Sequence, residues 1–528
     1  MIERAIENWL INTNEKNYQI AYCQVLSQRG QKVIYVSSHR PMEQGKDIVT
    51  INSSSDYCAY QLKTGNIDLK EWRNILGEIK ELIELPIVHP SVDKTKMHKS
   101  FIVTNGKITD EVRIQIDQMN EDNQRKGRRY SYLNIIDGQS LLKDFIDAQG
   151  KFIPKNLEDF RLFLELFLAE GTDFLPKDKF FNFLNNTVFK GISKQKSNAI
   201  NAIASSIIIS AYLLNSYQIK NNFYALFEAW TSLAACIARY VQKTGLKEKN
   251  WVDSLNLVTS EIVRNLLLLK AEISKRKDFL EGAWPGDGGL IYRARTTIVL
   301  GALATLEIHL QMTDKEYLQD EILLKLIKDN IHILWIWGES AFPYFFNLIK
   351  YLELNKESHI SHFLLDGLFL GIINNNSHVS KNGLANPYYS VNDVLEAAFG
   401  IDKSEIDLDQ FSGSSYMLEA VILMMAIRNK RKILGENWQK LSHIRFKEFK
   451  PNNLEDTFIW HTEEGLNYAE FPKTPQSWAE LTKKANDLAG VPDLYIKYSD
   501  LLHFFILVCP HRINKVIINL LDHKSLKI

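Results

Sequence analysis

Apolar and polar positions change rhythm once along this chain. Up to about residue 148, short runs rich in β-branched and aromatic residues read as five strands: Lys32–Val36, Asp47–Ile51, Tyr57–Lys63, Ser100–Thr104 and Tyr132–Ile136. Between and around them, apolar residues three and four apart predict helices at about Ile2–Trp9, Tyr18–Arg29, Leu69–Glu84, Asp110–Asn123 and Ser140–Ile146. The resulting order, α-α-β-β-β-α-β-α-β-α, is that of an α/β domain with a central mixed sheet flanked by helices and a hairpin at its centre. A Gly and a Pro bracket a polar break at Ala148–Pro154. Beyond it the helical rhythm dominates, at Asp159–Ala169, Asn198–Tyr217, Asn222–Lys243, Ser254–Arg276, Ile291–Gln311, Leu318–Trp337, Phe342–Leu354 and Ser415–Leu434. The expected division is therefore residues 1–150, α/β, and residues 151–528, a large all-α domain, with the polar stretch Asn374–Gly383 as a loop or seam inside it. The helices differ in length and their spacing drifts, so no repeat period emerges.

Composition narrows the class. The 528 residues hold 63 Lys plus Arg against 63 Asp plus Glu, with 45% hydrophobic and 24% charged residues, which excludes long disorder and a whole-chain polyanion binder. Residues 1–150 are balanced too, so any nucleic-acid site must be local. Cys23, Cys58, Cys236 and Cys509 form no CxxC pair, which fits a reducing cytoplasm better than a disulfide or zinc framework. The charged N-terminus lacks the apolar core of a secretory signal, and the most apolar stretch, Ala199–Leu214, is too short to cross a bilayer. The chain is expected to be cytoplasmic, with no membrane partner.

Chemistry concentrates between Gln44 and Gly65. Two β-rich runs flank a polar tip at Asn52–Ser55, and a turn centred near Ser54 sets Asp47 opposite Gln61. Gln61 and Lys63 share a face through the two-residue strand period, so a carboxylate, an amide and an ammonium converge. Such a trio suits metal-assisted phosphodiester hydrolysis. Asp47 is an oxygen ligand for Mg²⁺ or Mn²⁺, Gln61 adds a carbonyl oxygen or orients a ligating water, and Lys63 offsets charge growing on the phosphate.

Gly45-Lys46-Asp47 followed by Gln61-Leu62-Lys63-Thr64-Gly65 resembles the Asp…(Asp/Glu/Gln)-x-Lys core of the PD-(D/E)xK nucleases, in the Gln-x-Lys form of Mrr-like restriction endonucleases. Tyr18–Gly30 is similar to the helix and Gly turn before that core, and Phe101–Gly106 with Leu133–Gly138 and Leu141-Leu142 to its closing strand-helix-strand segment. The resemblance covers about residues 1–150. It implies a restriction-endonuclease-like fold, Mg²⁺ dependence, DNA as substrate, Asp47, Gln61 and Lys63 as catalytic positions, and the Leu62 backbone carbonyl as a further metal ligand. One departure stands out: where the family often has a Glu on the preceding helix, spacing places Gln19, leaving Glu7 or Glu15 to supply that carboxylate.

Elsewhere the signals are weaker. Arg125, Lys126, Arg128 and Arg129 form the densest basic cluster and are either phosphate contacts or a solvated loop. Trp284–Gly289 with Arg293 and Arg295 is either an anion-holding loop or a tight interhelical turn. His359 and His362 lack partners at zinc spacing, and no P-loop spacing occurs. The reading that follows is a Mg²⁺-dependent DNA endonuclease, a prokaryotic restriction or anti-phage effector controlled by its helical part. It would work as a homo-oligomer or with a partner defence protein. The alternatives are an inactive nuclease fold used for binding or scaffolding, and an RNA-cleaving nuclease.

Overall fold

The computed structural model describes residues 2–37, 45–89, 92–93, 96–128, 132–149, 157–189, 196–275, 288–314, 316–317, 321–377, 383–400, 411–450, 466–470, 477–488 and 491–524. The chain divides into two compact units, residues 1–265 and 266–528.

The first unit opens with α1 (Ile2–Asn12), α2 (Glu15–Gln28), β1 (Lys32–Val36), β2 (Ile48–Ile51), β3 (Tyr57–Lys63), α3 (Leu69–Glu84), β4 (His98–Thr104), α4 (Asp110–Arg125), β5 (Leu133–Ile136) and α5 (Gly138–Gln149). This is the order predicted by periodicity. The strands form one mixed sheet in sequence order, antiparallel from β1 to β3 and parallel from β3 to β5. β3 is buried on both faces because helices cover both. On one side Trp72, Ile75, Ile79 and Leu82 of α3 and Val112 and Ile116 of α4 pack on Ala59 and Ile102. On the other, Tyr60 stacks on Phe101 at 4.7 Å and meets Tyr22 of α2 edge-on at 6.0 Å.

The unit continues through α6 (Leu157–Phe167), α7 (Lys177–Phe183), α8 (Lys196–Leu213), α9 (Asn215–Ile219), α10 (Phe223–Thr244) and α11 (Val252–Lys275), the last crossing the division. These helices do not stand apart from the sheet layer. Every residue of α2 from Asn17 to Leu26 is buried, which a helix with one free face cannot achieve. The outer face of the α1–α2 layer is covered by later helices: Trp9 meets Tyr212 of α8 at 4.4 Å, and Ser254 Oγ of α11 donates to Gln24 Oε1 at 3.1 Å.

The second unit holds α12 (Gly288–Thr313), α13 (Glu321–Asn330), α14 (Phe342–Leu354), α15 (Ser358–Asn376), α16 (Val391–Ala398), β6 (Ser414–Ser415), α17 (Leu418–Ile427), α18 (Arg431–Glu436), α19 (Trp438–Leu441), β7 (Arg445–Lys450), β8 (Leu466–Glu470), α20 (Trp478–Ala485), α21 (Asp493–Lys497), α22 (Ser499–Val508) and α23 (Lys515–Lys524). The all-α expectation needs a correction here: β6, β7 and β8 form a three-stranded sheet, β6 parallel and β8 antiparallel to β7. The strand β7 was hidden by its own composition, because Phe446 and Phe449 are spaced three apart and four of its six residues are charged. The polar stretch at 374–383 closes α15 at its start, and residues 378–382 lie outside the described residues. The four cysteines are buried thiols, and no described helix is long and apolar enough to cross a membrane.

Candidate functional site at the end of the central hairpin

The hairpin that carries the site is shaped by its tip. Asn52 Oδ1 accepts from the amides of Ser54 (3.0 Å) and Asp56 (2.9 Å), closing a tight Asx turn with Ser55 at φ 63°. The ladder then runs from Ile51↔Tyr57 to Ile48↔Tyr60, the register that the turn centre predicts, and it ends one residue short of Asp47. The Asp47 amide donates to Tyr60 O at 2.8 Å, the residue already paired with Ile48, so the strand is bulged at this point. Gly45 permits the approach: its φ is +69°, and a Cβ there would stand 2.6 Å from the Glu78 carbonyl of α3.

Asp47 meets the second strand at its backbone. Its Oδ2 accepts the Leu62 N–H at 2.7 Å, between Gln61 and Lys63. A residue's N–H and C=O leave a strand from the same edge, so the Leu62 carbonyl emerges beside this carboxylate. The Gln61 and Lys63 side chains instead meet at Glu78 of α3. Lys63 Nζ pairs with Glu78 Oε2, and Gln61 Nε2 donates to the same oxygen at 3.4 Å. Gln61 is only 6% exposed, and its Oε1 is buried with no partner.

Helix α2 supports the site from the other side. Gln19 is buried and its Nε2 donates to the Asp47 carbonyl at 3.0 Å, which fixes the backbone that presents the carboxylate. Glu15 locks onto Thr64: its amide donates to Thr64 Oγ1 at 2.8 Å, and that hydroxyl donates back to Glu15 Oε2 at 2.7 Å. Tyr18 donates its hydroxyl to Lys63 O at 2.9 Å. Burial lifts this phenol well above its usual pKa, the negative charges of Glu15 and Asp47 add to the lift, and the bond to Lys63 O opposes it, so Tyr18 stays a donor. Of the three helix positions named from sequence, Gln19 and Glu15 thus reach the site, while Glu7 stands exposed midway along α1. Lys46, next to Asp47, is buried with its Nζ donating to Glu81 O at 3.1 Å. Burial lowers its pKa to about 8 against the opposing charge of Glu81.

The basic cluster lies elsewhere. Arg125 pairs with Glu121 (3.3 Å) and Asp122 (3.9 Å), and Arg128 with Glu84 (3.7 Å) at the last residue of α3. That is the sheet end where β4 and β5 begin, whereas Lys63 is where β3 finishes. Lys126 caps α4, and Arg129 lies outside the described residues. In the second unit, Arg293 is used by the carbonyls of Ile333 and Leu334 (3.0 and 3.5 Å), and residues 284–287 of the glycine-rich loop are outside the described residues.

Glu78 is the site residue that sequence reasoning missed. It sits in the middle of an amphipathic helix, where a charged residue reads as solvated surface. The available signal was the β3-α3-β4 crossover, which lays α3 over the face that carries Gln61 and Lys63. Among the described residues, no group of three or more His, Cys, Asp or Glu side chains gathers as a metal cluster. The donors near the end of the hairpin are oxygens, namely the Asp47 carboxylate, the Gln61 amide oxygen without a partner and the Leu62 carbonyl, a type of donor that suits Mg²⁺ or Mn²⁺. Comparison with known proteins gives no match to a family model, to a curated protein or to a solved structure.

Proposed function

We propose that the chain is a Mg²⁺-dependent nuclease of the PD-(D/E)xK type, Mrr-like, that hydrolyses DNA phosphodiesters at the end of its central hairpin. One observation carries the reading. Asp47 Oδ2 is bonded to the amide between Gln61 and Lys63, on two successive strands of an α-β-β-β-α-β order. Asp47, Gln61 and the Leu62 carbonyl would hold Mg²⁺, which when bound polarises the scissile phosphate. Gln19 and the bulge keep the Asp47 carboxylate in place. Lys63, released from Glu78, orients the attacking water and offsets charge developing on the phosphoryl oxygens. Tyr18 holds the Lys63 backbone so that its side chain alone moves. No covalent intermediate is required.

The charge balance argues for a local and weak hold on DNA, which fits action as an assembly, and a role as a restriction or anti-phage effector restrained by the rest of the chain. The test is purified full-length protein with supercoiled plasmid and Mg²⁺, beside Asp47→Ala and Lys63→Ala. We expect at least about a hundredfold loss of cutting in both variants, about 3 kcal/mol of transition-state stabilisation. Equal cutting by all three proteins would exclude this site. A second reading, an inactive nuclease fold that binds or scaffolds, draws on Lys63 being paired with Glu78. It predicts no cutting of DNA or RNA by wild-type protein at any Mg²⁺ or Mn²⁺ concentration.

A further inference from the structure

The cation site of the proposed nuclease is short of negative charge. A divalent ion next to Lys63 brings three positive charges to a place where Asp47 supplies one negative one, and position 19, on the supporting helix, is an amide. Two observations point to the missing group. The Gln61 amide is buried, yet one of its two polar atoms has no partner, while the other lies 3.4 Å from Glu78 Oε2. A 180° turn of that amide exchanges its oxygen and nitrogen without moving anything else. The turned carbonyl oxygen would face the Glu78 carboxylate, a repulsive arrangement unless a cation lies between them. Oxygens that share an octahedral Mg²⁺ stand about 3 Å apart, close to the separation already present.

The second observation places Glu78 near the segment that leads to Asp47. The Glu78 carbonyl is within 2.6 Å of an ideal Cβ on Gly45, so this turn of α3 packs against the chain two residues before Asp47. The Glu78 side chain is half exposed and open to an ion arriving from solvent, whereas Lys63, its present partner, is largely buried. We propose that Glu78 is the second carboxylate of the cation site, and that Lys63 holds its place until a divalent ion displaces the ammonium. This rests on the nuclease reading for its purpose, but not for its measurement.

The experiment is Mn²⁺ binding to the full chain without DNA, followed by calorimetry and by the electron paramagnetic resonance signal of free Mn²⁺. Wild-type protein is compared with Glu78→Gln, Glu78→Asp and Lys63→Met. Loss of a charged ligand should weaken Mn²⁺ at least tenfold in Glu78→Gln and less in Glu78→Asp. Lys63→Met should tighten it several-fold, because the competing ammonium is gone. If Glu78 only anchors Lys63, Glu78→Gln and Glu78→Asp bind Mn²⁺ no more weakly than wild-type protein, and the inference is wrong. Absence of Mn²⁺ binding by wild-type protein overturns it as well. If Glu78→Gln does not fold, Glu78→Asp decides, with weaker Mn²⁺ binding supporting the inference and unchanged binding overturning it. Glu78-dependent binding without DNA cleavage would keep this inference and sink the nuclease reading. Cleavage by wild-type protein with unchanged Mn²⁺ affinity in Glu78→Gln would do the reverse.

Discussion

Two clusters of charged side chains, one in each unit, handle the same chemistry in opposite ways. In the second unit Arg428 and Lys350 sit between Glu353 and Asp522. Arg428 reaches Glu353 at 2.5 Å and Asp522 at 2.7 Å, and Lys350 Nζ reaches Asp522 at 2.9 Å and Glu353 at 3.0 Å. All four side chains are buried or nearly so, and two positive charges meet two negative ones. Burial alone would push the Asp522 carboxyl up, but Arg428 and Lys350 outweigh it and hold it down, to about 2. Glu353 is likewise lowered despite its burial, and burial works against the Arg428 charge that both carboxylates restore. At the hairpin of the first unit, by contrast, Lys63 has one half-exposed partner, an adjacent amide oxygen has none, and the strand is bulged. A closed, neutral and fully bonded cluster locks helices together. An incomplete one with solvent access is what a binding site requires.

That contrast can be broken by mutation, starting where the largest effect is expected. Arg428→Met leaves Glu353 and Asp522 buried without their main partner, and should destabilise the second unit by about 3–5 kcal/mol in urea unfolding. A loss below about 1 kcal/mol would mean that the cluster is not a lock. Next comes Glu339, which is buried in the same unit, accepts the Ser415 hydroxyl, and takes the Tyr416 amide at 2.9 Å. Burial lifts its pKa to about 7, against the lowering by those bonds. A carboxyl raised above its unfolded value binds its proton more tightly when folded, so its stabilising contribution is full below about pH 4.5 and is lost as pH rises through about 7. Between those limits the second unit should lose on the order of 3 kcal/mol of stability to this group. Melting of wild-type and Glu339→Gln proteins across pH 4.5–8 checks it, the variant showing the flatter profile. The smallest effect belongs to the site itself. Lys63→Met and Glu78→Gln should each change stability by less than about 1 kcal/mol, as for other partly exposed pairs. A loss of more than about 3 kcal/mol in either would place the hairpin pair with the buried lock and remove the contrast.

What could be read in advance depended on how far apart the deciding residues lie. The register of β2 on β3 was legible because the tip residues Asn52–Asp56 and the two-residue alternation are local, and a slip by one residue would exchange the two faces of the strand. Helix α14 was legible over Phe342–Leu354 for the same reason. The stretch read as one helix from Ser415 to Leu434 is broken instead. Asn429 takes a left-handed φ of 54° after α17, a backbone choice open to Asn that periodicity does not report. Helix α15 escaped because its apolar residues spread nearly all round, leaving no stripe to follow.

The order of elements up to residue 149, the hairpin and the identity of its three polar residues follow from the sequence alone, since each is encoded within a few neighbouring positions. Only the tertiary structure decided that Glu78 takes Lys63, that Gln19 holds the Asp47 backbone, that the basic loop sits at the other end of the sheet, and that the helices beyond residue 150 cover α2. Those are contacts between residues 15 to 230 positions apart, set by which apolar faces bury one another, and a side chain's polarity does not say which neighbour that burial brings to it.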